Sequence, residues 1–191
     1  MNGRFIAFAL VLLLIAGACG GGGSGGGGGT GGSGSATDAL NRGLQAHTAG
    51  RLDEAVAAYF ETLEKDPKNK FAFYNLGQIA QSQNRVVAAE SFYRLALEQD
   101  AKMTSALFNL AIVRTNVGAS QDAIALYRQL IAVDPNNAPA HFNLGLLLRA
   151  TGDTVGAQQE LATAQRLDPK LVPPTPSASP QRQVSPTPTG R

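Results

Sequence analysis

The sequence predicts an all-α protein built from four helix–turn–helix units. An Asp-Pro or Asp-Ala pair recurs at a constant spacing without an insertion, at Asp66, Asp100, Asp134 and Asp168, and small residues recur at the same places between these pairs. The stretches between the pairs also carry apolar residues at the three- and four-residue spacing of amphipathic helices. We therefore expect eight helices, at 37–49, 52–65, 71–83, 86–99, 105–117, 120–133, 139–150 and 153–167.

The N-terminal segment 1–18 has the layout of an export signal. Arg4 supplies a positive charge, residues 5–16 form an apolar run without a charge, and small residues follow it. The apolar run is shorter than the roughly 20 residues that a membrane-spanning helix needs. We therefore predict that residues 1–18 are a signal peptide, with a retained short N-terminal anchor as the alternative.

Cys19 is the single cysteine of the chain and follows this segment directly. Residues 16–19 resemble a bacterial lipobox, in which the signal is cut before the cysteine. The resemblance implies that Cys19 carries lipid as the first residue of the mature protein, and several acyl chains on one residue anchor stably. The stretch departs from the usual pattern at Ala16, where a larger aliphatic residue is commoner. Two alternatives stay open: ordinary cleavage after Ala18, and removal of Cys19 with the signal.

The two flanking regions after the signal have biased compositions. Residues 19–35 hold the anchor cysteine and a tether, since 12 of the 16 residues from Gly20 to Ser35 are glycine. Such a chain behaves as a flexible coil with an end-to-end distance of roughly 20–24 Å. Residues 172–191 hold six of the ten prolines, which predicts a disordered tail. We interpret this tail as solubilising, with binding of cell-wall polymer or of a partner as the alternative.

Fixed positions inside the repeating period agree between the copies. The eighth place is small, at Gly43, Gly77, Ala111 and Gly145. A residue that tolerates positive φ follows at mid-repeat, at Gly50, Asn84, Gly118 and Gly152. A large residue occupies the twenty-fourth place, at Tyr59, Tyr93, Tyr127 and Leu161. This pattern resembles the tetratricopeptide repeat, whose unit is a helix–turn–helix of about 34 residues.

The resemblance covers residues 36–171 and implies a right-handed α-solenoid in which neighbouring repeats stack on one another. The repeats are 36–69, 70–103, 104–137 and 138–171. The terminal units of such an array are expected to differ from the others. Gln165 occupies a place that is aliphatic in the three earlier repeats, so we expect it to face water.

In tetratricopeptide arrays the first helix of each unit lines the inner groove of the superhelix. The resemblance therefore implies a partner-binding groove lined by an asparagine ladder, by apolar and aromatic side chains, and by one arginine. These groove residues are Asn41, Asn75, Asn109, Asn143, Phe71, Tyr74, Phe108, Ile112, Phe142, Leu146 and Arg149. Asparagine amides both donate and accept, which suits the backbone of an extended peptide. The alternative is that these asparagines and aromatics only pack between helices.

Catalytic patterns are missing from the sequence. His47 and His141 are far apart, and neither has another His or Cys at ligand spacing, so we interpret His47 as a solvated helix residue and His141 as a packing residue. No serine lies in a nucleophile elbow, and the glycine tract lacks the lysine of a phosphate loop. The formal net charge of +2 is not that of a nucleic-acid binder. We predict no catalysis, cofactor, metal, nucleic acid or small-molecule substrate.

These patterns together predict a non-catalytic scaffold that holds a protein or peptide partner at the bacterial cell envelope, with the assembly of an envelope or pilus complex as one such role. The membrane contact is the lipid on Cys19, and Gly20 after it favours the outer membrane where the organism has one. Two alternative functions stay open. One is a structural envelope protein that self-assembles by end-to-end stacking of repeats. The other is a regulatory subunit of an envelope enzyme complex.

Overall fold

The computed structural model describes residues 34–172, which form eight α-helices and no strand. The helices are α1 (Ala36–Thr48), α2 (Leu52–Lys65), α3 (Lys70–Ser82), α4 (Val86–Gln99), α5 (Thr104–Asn116), α6 (Ser120–Val133), α7 (Ala138–Ala150) and α8 (Thr154–Leu167). The predicted all-α fold is confirmed, and α2, α4 and α6 have their predicted bounds. The other bounds differ from the prediction by one residue.

An asparagine caps the first helix of the repeat in two of the four repeats, at α3 and at α7. At α3 the Asn69 Oδ1 accepts a hydrogen bond from the Ala72 N–H at 3.1 Å, and the Asn69 Nδ2 donates to Asp66 Oδ2 at 3.0 Å. The same pair of contacts recurs at Asn137 before α7. A side-chain cap satisfies an N–H group that the first helical turn leaves unpaired. The recurring aspartate therefore positions the cap as well as ending the preceding helix.

Each helix pair is joined by a turn that contains a left-handed residue. The positive φ angles are 75° at Gly50, 56° at Asn84, 78° at Gly118 and 93° at Gly152. Glycine adopts this conformation without the steric penalty of a Cβ, and asparagine tolerates it better than most residues. The mid-repeat prediction is confirmed in all four units.

The small residue at the eighth place lets the two helices of a unit approach closely. A Cβ atom on Gly77 would lie 2.6 Å from the Cε1 atom of Tyr93, and one on Gly43 would lie 2.5 Å from the same atom of Tyr59. Both distances are too short for two carbon atoms that are not bonded to each other. In the first two repeats the first helix therefore rests directly on a tyrosine ring of the second helix.

Residues 34–133 form one compact unit that contains α1 to α6. Tyr59 and Tyr93 are fully buried in its core together with Leu76 and Leu110, while Phe60 packs against the core from α2. Burying a large apolar side chain contributes about 1.5–3 kcal/mol. The three repeats of this unit are thus held together by side chains that no single repeat buries alone.

Residues 134–172 form a second compact unit that contains α7 and α8. A Cβ atom on Gly145 would lie 2.7 Å from Leu161 Cγ, so the same close approach brings these two helices together. Gln165 is exposed, as predicted, and Thr154 and Gln158 are exposed as well. The corresponding places of α2 are aliphatic and packed on the core of the first unit. One face of α8 is therefore polar, as expected of a terminal repeat.

Several predicted segments lie outside the described residues. They are the signal peptide 1–18, the anchor Cys19, the tether up to residue 33, and the tail from residue 173 onward. Within 34–172, no helix is both long enough and apolar enough to cross a membrane.

Candidate functional site

The solvent-facing side of α1, α3 and α5 carries the groove residues predicted for the first unit except Asn75, which is buried. We call this side the groove face; it comprises Asn41, Leu44, Phe71, Tyr74, Gln78, Phe108, Asn109 and Ile112. Phe71 is 49% exposed and Leu44 is 40% exposed, and both are among the large apolar side chains that remain accessible to water. Tyr74, Phe108 and Ile112 are half-buried. The groove face thus presents apolar surface that the folded unit does not cover.

The asparagines of the predicted ladder have different surroundings in this unit. Asn41 is exposed, whereas Asn75 is buried and its Nδ2 donates to the Phe71 carbonyl oxygen at 2.7 Å. Asn109 is half-buried, and its Nδ2 donates to the Tyr74 hydroxyl at 3.2 Å. Two of the three amides are therefore engaged within the protein through their NH₂ groups.

Tyr74 is the centre of the polar contacts on the groove face. Its hydroxyl accepts from Asn109 on α5 and also from Gln78 Nε2 on its own helix, at 3.0 Å. Its ring lies 5.9 Å from the ring of Tyr93, measured between centroids. Tyr74 thus touches the core with its ring and joins two repeats with its hydroxyl.

The other aromatic groove residues also contact the core or a charge. The ring of Phe108 packs edge to face on Tyr127, with 6.0 Å between centroids. Lys70 Nζ lies 5.1 Å from the centroid of Phe71, within the range of a cation–π contact. The aromatics therefore have a packing role, as the alternative interpretation held, but Phe71 retains about half of its surface for a ligand.

The buried tyrosines find partners at the twelfth place of their own repeats. The Tyr93 hydroxyl donates to Gln81 Oε1 at 2.6 Å, and the Tyr59 hydroxyl lies 3.4 Å from His47 Nδ1. Burial raises the pKa of Tyr59 to about 12 and also raises that of Tyr93, because the charged phenolate is disfavoured away from water. His47 is half-buried against Tyr59, so it is only partly solvated.

Charged side chains of the first helices turn toward counter-charges on other elements. Arg42 Nη2 lies 2.7 Å from Glu61 Oε2 on α2. Lys70 Nζ lies 2.6 Å from Asp100 Oδ2 in the turn after α4, and this contact lowers the pKa of Asp100. Both charges are thus balanced within the protein beside the groove face.

Arg114 is the one charge on α5, at a place that is alanine or leucine in the other repeats. It lies 3.1 Å from Glu90 Oε2 on α4 and also pairs with Asp122 on α6. The role of Arg114 was not predicted, although its charge at an otherwise apolar place was a signal.

On α1, Asp38 forms a capping box with Ser35, and these hydrogen bonds lower the pKa of Asp38.

The first repeat has a polar surface on the side away from α3. This N-terminal face comprises Arg42, Gln45, Arg51, Glu54 and Glu61, and together with Ala46, Ala57 and Ala58 it lines an open cleft of about 450 Å³. Arg51 Nε lies 2.9 Å from Glu54 Oε2, a second ion pair beside the one between Arg42 and Glu61. The places of Arg42 and Gln45 carry buried apolar residues in the next two repeats, namely Leu76, Ile79, Leu110 and Val113. The N-terminal face is therefore solvated where later repeats are packed.

The groove residues predicted for the last repeat lie on α7 in the second unit. Phe142, Asn143, Leu146 and Arg149 are all half-buried. They therefore expose part of their surface, and Arg149 also has a polar partner within the protein.

His141 is buried, which confirms its prediction as a packing residue. Its Nδ1 lies 2.6 Å from Glu160 Oε2 and its Nε2 lies 3.0 Å from the Pro135 carbonyl oxygen. Both ring nitrogens are occupied, so neither is free to bind a metal. More broadly, residues 34–172 contain no group of three His, Cys, Asp or Glu side chains arranged to hold a metal ion.

Known structures with a similar fold include two that are described as tetratricopeptide repeat proteins. The structure of MamA has 23% identity and a TM-score of 0.65, with 70% of this chain and 73% of that chain covered. A tetratricopeptide repeat protein from Parabacteroides merdae has 23% identity and the same TM-score of 0.65, covering 71% of this chain and 54% of its own. YrrB, described as a tetratricopeptide protein with an unusual peptide-binding site, has 21% identity and a TM-score of 0.65, with coverages of 70% and 69%.

Sequence comparison gives the family directly. No curated protein sequence matches the chain significantly. Two family models, both described as tetratricopeptide repeat, match residues 40–104 and residues 117–173. Together these matches span more than half of the chain and include parts of all four repeats. The chain belongs to the tetratricopeptide repeat family.

Proposed function

We propose that this protein is a non-catalytic scaffold that binds an extended segment of a partner protein on its groove face. The observation that carries the proposal is the accessible apolar surface of Phe71 and Leu44, which lies on the same helix sides as the amides of Asn41 and Gln78. Apolar anchors with nearby amides suit a peptide, because the anchors bury its side chains and the amides pair with its backbone. The peptide-binding site named for YrrB, a protein of the same fold, supports this proposal.

The proposed role is one of binding and not of catalysis. In the described region the charged side chains of the first helices have counter-charges or capping contacts, and the two histidines contact a tyrosine or a carboxylate. None of these groups converges with a nucleophile on the groove face. The protein would therefore act by holding a partner, and we propose that it assists the assembly of an envelope or pilus complex.

The sequence also supports a proposal about where the protein is located in the cell. We propose that the protein is exported and held at the bacterial cell envelope, in the outer membrane where one exists, by lipid on Cys19. The support is the layout of residues 1–18 and the small residues before the cysteine. The glycine-rich stretch after Cys19 would then separate the repeats from the membrane surface by a flexible tether.

The groove is tested by crosslinking and mass spectrometry in native membranes, with wild type, Phe71→Ala and Val87→Ala compared. Val87 is 72% exposed on α4, which is the second helix of its repeat and does not belong to the groove face. Val87→Ala therefore provides a matched control, because it removes exposed apolar surface away from the proposed site. We expect a partner to be recovered with wild type and Val87→Ala and to be lost with Phe71→Ala. Equal recovery with both variants would contradict binding on the groove face.

The anchor is tested separately by fractionation of cells that express wild type or Cys19→Ala. The lipid hypothesis predicts that wild type is recovered with membranes and labelled by radioactive palmitate. Cys19→Ala is expected in the soluble envelope fraction without label. A Cys19→Ala protein that stays on the membrane after export would rule out the lipid anchor and leave the groove proposal untouched.

A further inference from the structure

We infer that the segment bound on the groove face is uncharged, with no Asp, Glu, Lys or Arg among the residues that contact α1, α3 and α5. The inference rests on the proposed function, because it names the class of partner for that same surface. It follows from the positions of the charged side chains in residues 34–133 and from the ion pairs that they form.

In residues 34–133 the first helix of each repeat carries fewer charged residues than the second helix. The charged residues of the first helices are Asp38, Arg42, Lys70 and Arg114, with His47 as a further titratable group. The second helices carry the larger set, Asp53, Glu54, Glu61, Glu64, Lys65, Glu90, Arg94, Glu98, Asp122 and Arg128. The groove face therefore belongs to the helices that are poor in charge.

The cations on the first helices are paired inside the unit. Arg42, Lys70 and Arg114 each pair with a carboxylate on a second helix or the turn after it. Asp38 is held in the capping box at the start of α1. His47 lies against the Tyr59 hydroxyl. The three cations of these helices therefore have counter-charges, and Asp38 is the remaining anion, held at the N-terminus of α1.

Apolar and neutral polar groups remain for recognition. Leu44 and Phe71 offer exposed apolar surface, and Asn41 is an exposed amide that accepts and donates. A charged side chain placed on this surface would lose water without gaining a counter-charge, which is unfavourable. A neutral segment has no such penalty. The same lack of charge discriminates against acidic and basic partners, since specificity is a difference between affinities.

The inference is tested with a library of short random peptides displayed on phage and selected on the immobilised full-length protein. Peptides that bind wild type but not Phe71→Ala define those that use the groove face. We expect Asp, Glu, Lys and Arg to be depleted in these peptides relative to the unselected library. A selected neutral peptide should bind at least tenfold more weakly when an Asp or a Lys replaces a central residue.

A charge added to the groove face provides the matched variant. Asn41→Lys places a cation on the exposed side of α1, and Gln99→Lys places one at the exposed end of α4 as the control. We expect Asn41→Lys to select peptides enriched in Asp and Glu, and Gln99→Lys to select the neutral peptides of wild type. Circular dichroism and melting temperature verify that each variant is folded.

The outcomes separate the two proposals. Failure to select any peptide that depends on Phe71 would contradict the proposed function and the inference with it. Peptides that depend on Phe71 but carry charges at the frequency of the library would overturn the inference alone. Unchanged selection by Asn41→Lys would also overturn it, because the added charge would then lie outside the contact surface.

Discussion

The amide of Asn109 on α5 donates a hydrogen bond to the hydroxyl of Tyr74 on α3, over 3.2 Å. This bond crosses the boundary between the second and third repeats on the groove face. The two residues are 35 positions apart, so the donor belongs to one repeat and the acceptor to the one before it. The same surface that we propose for binding therefore also helps to hold neighbouring repeats together.

Tyr74→Phe is expected to weaken this connection without removing the ring that packs on Tyr93. The variant leaves the amides of Asn109 and Gln78 without their shared acceptor, and a typical hydrogen bond contributes about 0.5–1.5 kcal/mol. We expect the free energy of unfolding, measured in urea, to fall by about that amount. A double-mutant cycle with Asn109→Ala isolates the pair, and strictly additive effects would show that the bond does not contribute.

Stability is expected to fall at high pH because of the buried tyrosines. The ordinary pKa of tyrosine is 10.0, and burial raises that of Tyr59 to about 12 in the folded protein. The folded pKa is thus the higher one, so the contribution is fully present below pH 10 and is lost as pH rises from 10 toward 12. Urea unfolding at pH 9 and at higher pH, with tyrosine absorbance near 295 nm, measures this loss. Tyr59→Phe should show a smaller decline than wild type.

Gly77→Ala is expected to destabilise the first unit, although alanine is the better helix former. The added Cβ atom would lie 2.6 Å from the Tyr93 ring, which forces α3 and α4 apart. Overpacking of this kind costs about 1–3 kcal/mol. Thermal unfolding monitored by circular dichroism measures the effect. The exposed substitution Gln99→Ala should change stability by less than about 0.5 kcal/mol, and a Gly77→Ala protein as stable as this control would refute the close packing.

The chain from residue 20 onward is expected to be monomeric in light scattering at increasing concentration. The N-terminal face carries ion pairs and Gln45 where later repeats have buried apolar residues, so it does not favour stacking of a further repeat. Terminal repeats with a polar outer face keep such arrays soluble.

Arg42→Leu/Gln45→Ile restores the apolar residues of the later repeats and should make the protein self-associate. Arg94→Leu, on an exposed part of α4, is the control and should leave the mass unchanged. Association of wild type through the N-terminal face would instead support the end-to-end alternative.

Much of the fold followed from spacing alone. The constant repeat period, the small eighth place and the mid-repeat glycine or asparagine each correspond to a local geometric need. A close approach such as that of Gly77 and Tyr93 needs a missing side chain, and a left-handed residue such as Gly50 needs freedom at φ. Such geometric requirements restrict which residue types can occupy these positions. Helix bounds were accurate to one residue for the same reason.

The details of the groove face did not follow from spacing. Asn75 and Asn109 occupy the same place in consecutive repeats, yet one bonds its own helix and the other bonds the preceding repeat. The difference lies in the residue 35 positions earlier, which is Leu40 for Asn75 and Tyr74 for Asn109. A leucine offers no acceptor, so the amide of Asn75 turns to the Phe71 carbonyl oxygen.

The sequence by itself determined the family, the four repeats and the polar character of the last helix, because these depend on residue types at fixed intervals. Only the tertiary structure decided which side chains remain available to a ligand. Arg42, Lys70 and Arg114 are charges in the sequence, but each is neutralised by a carboxylate from another element. Pairing between helices depends on distances in space, and a repeat pattern along the chain does not contain them.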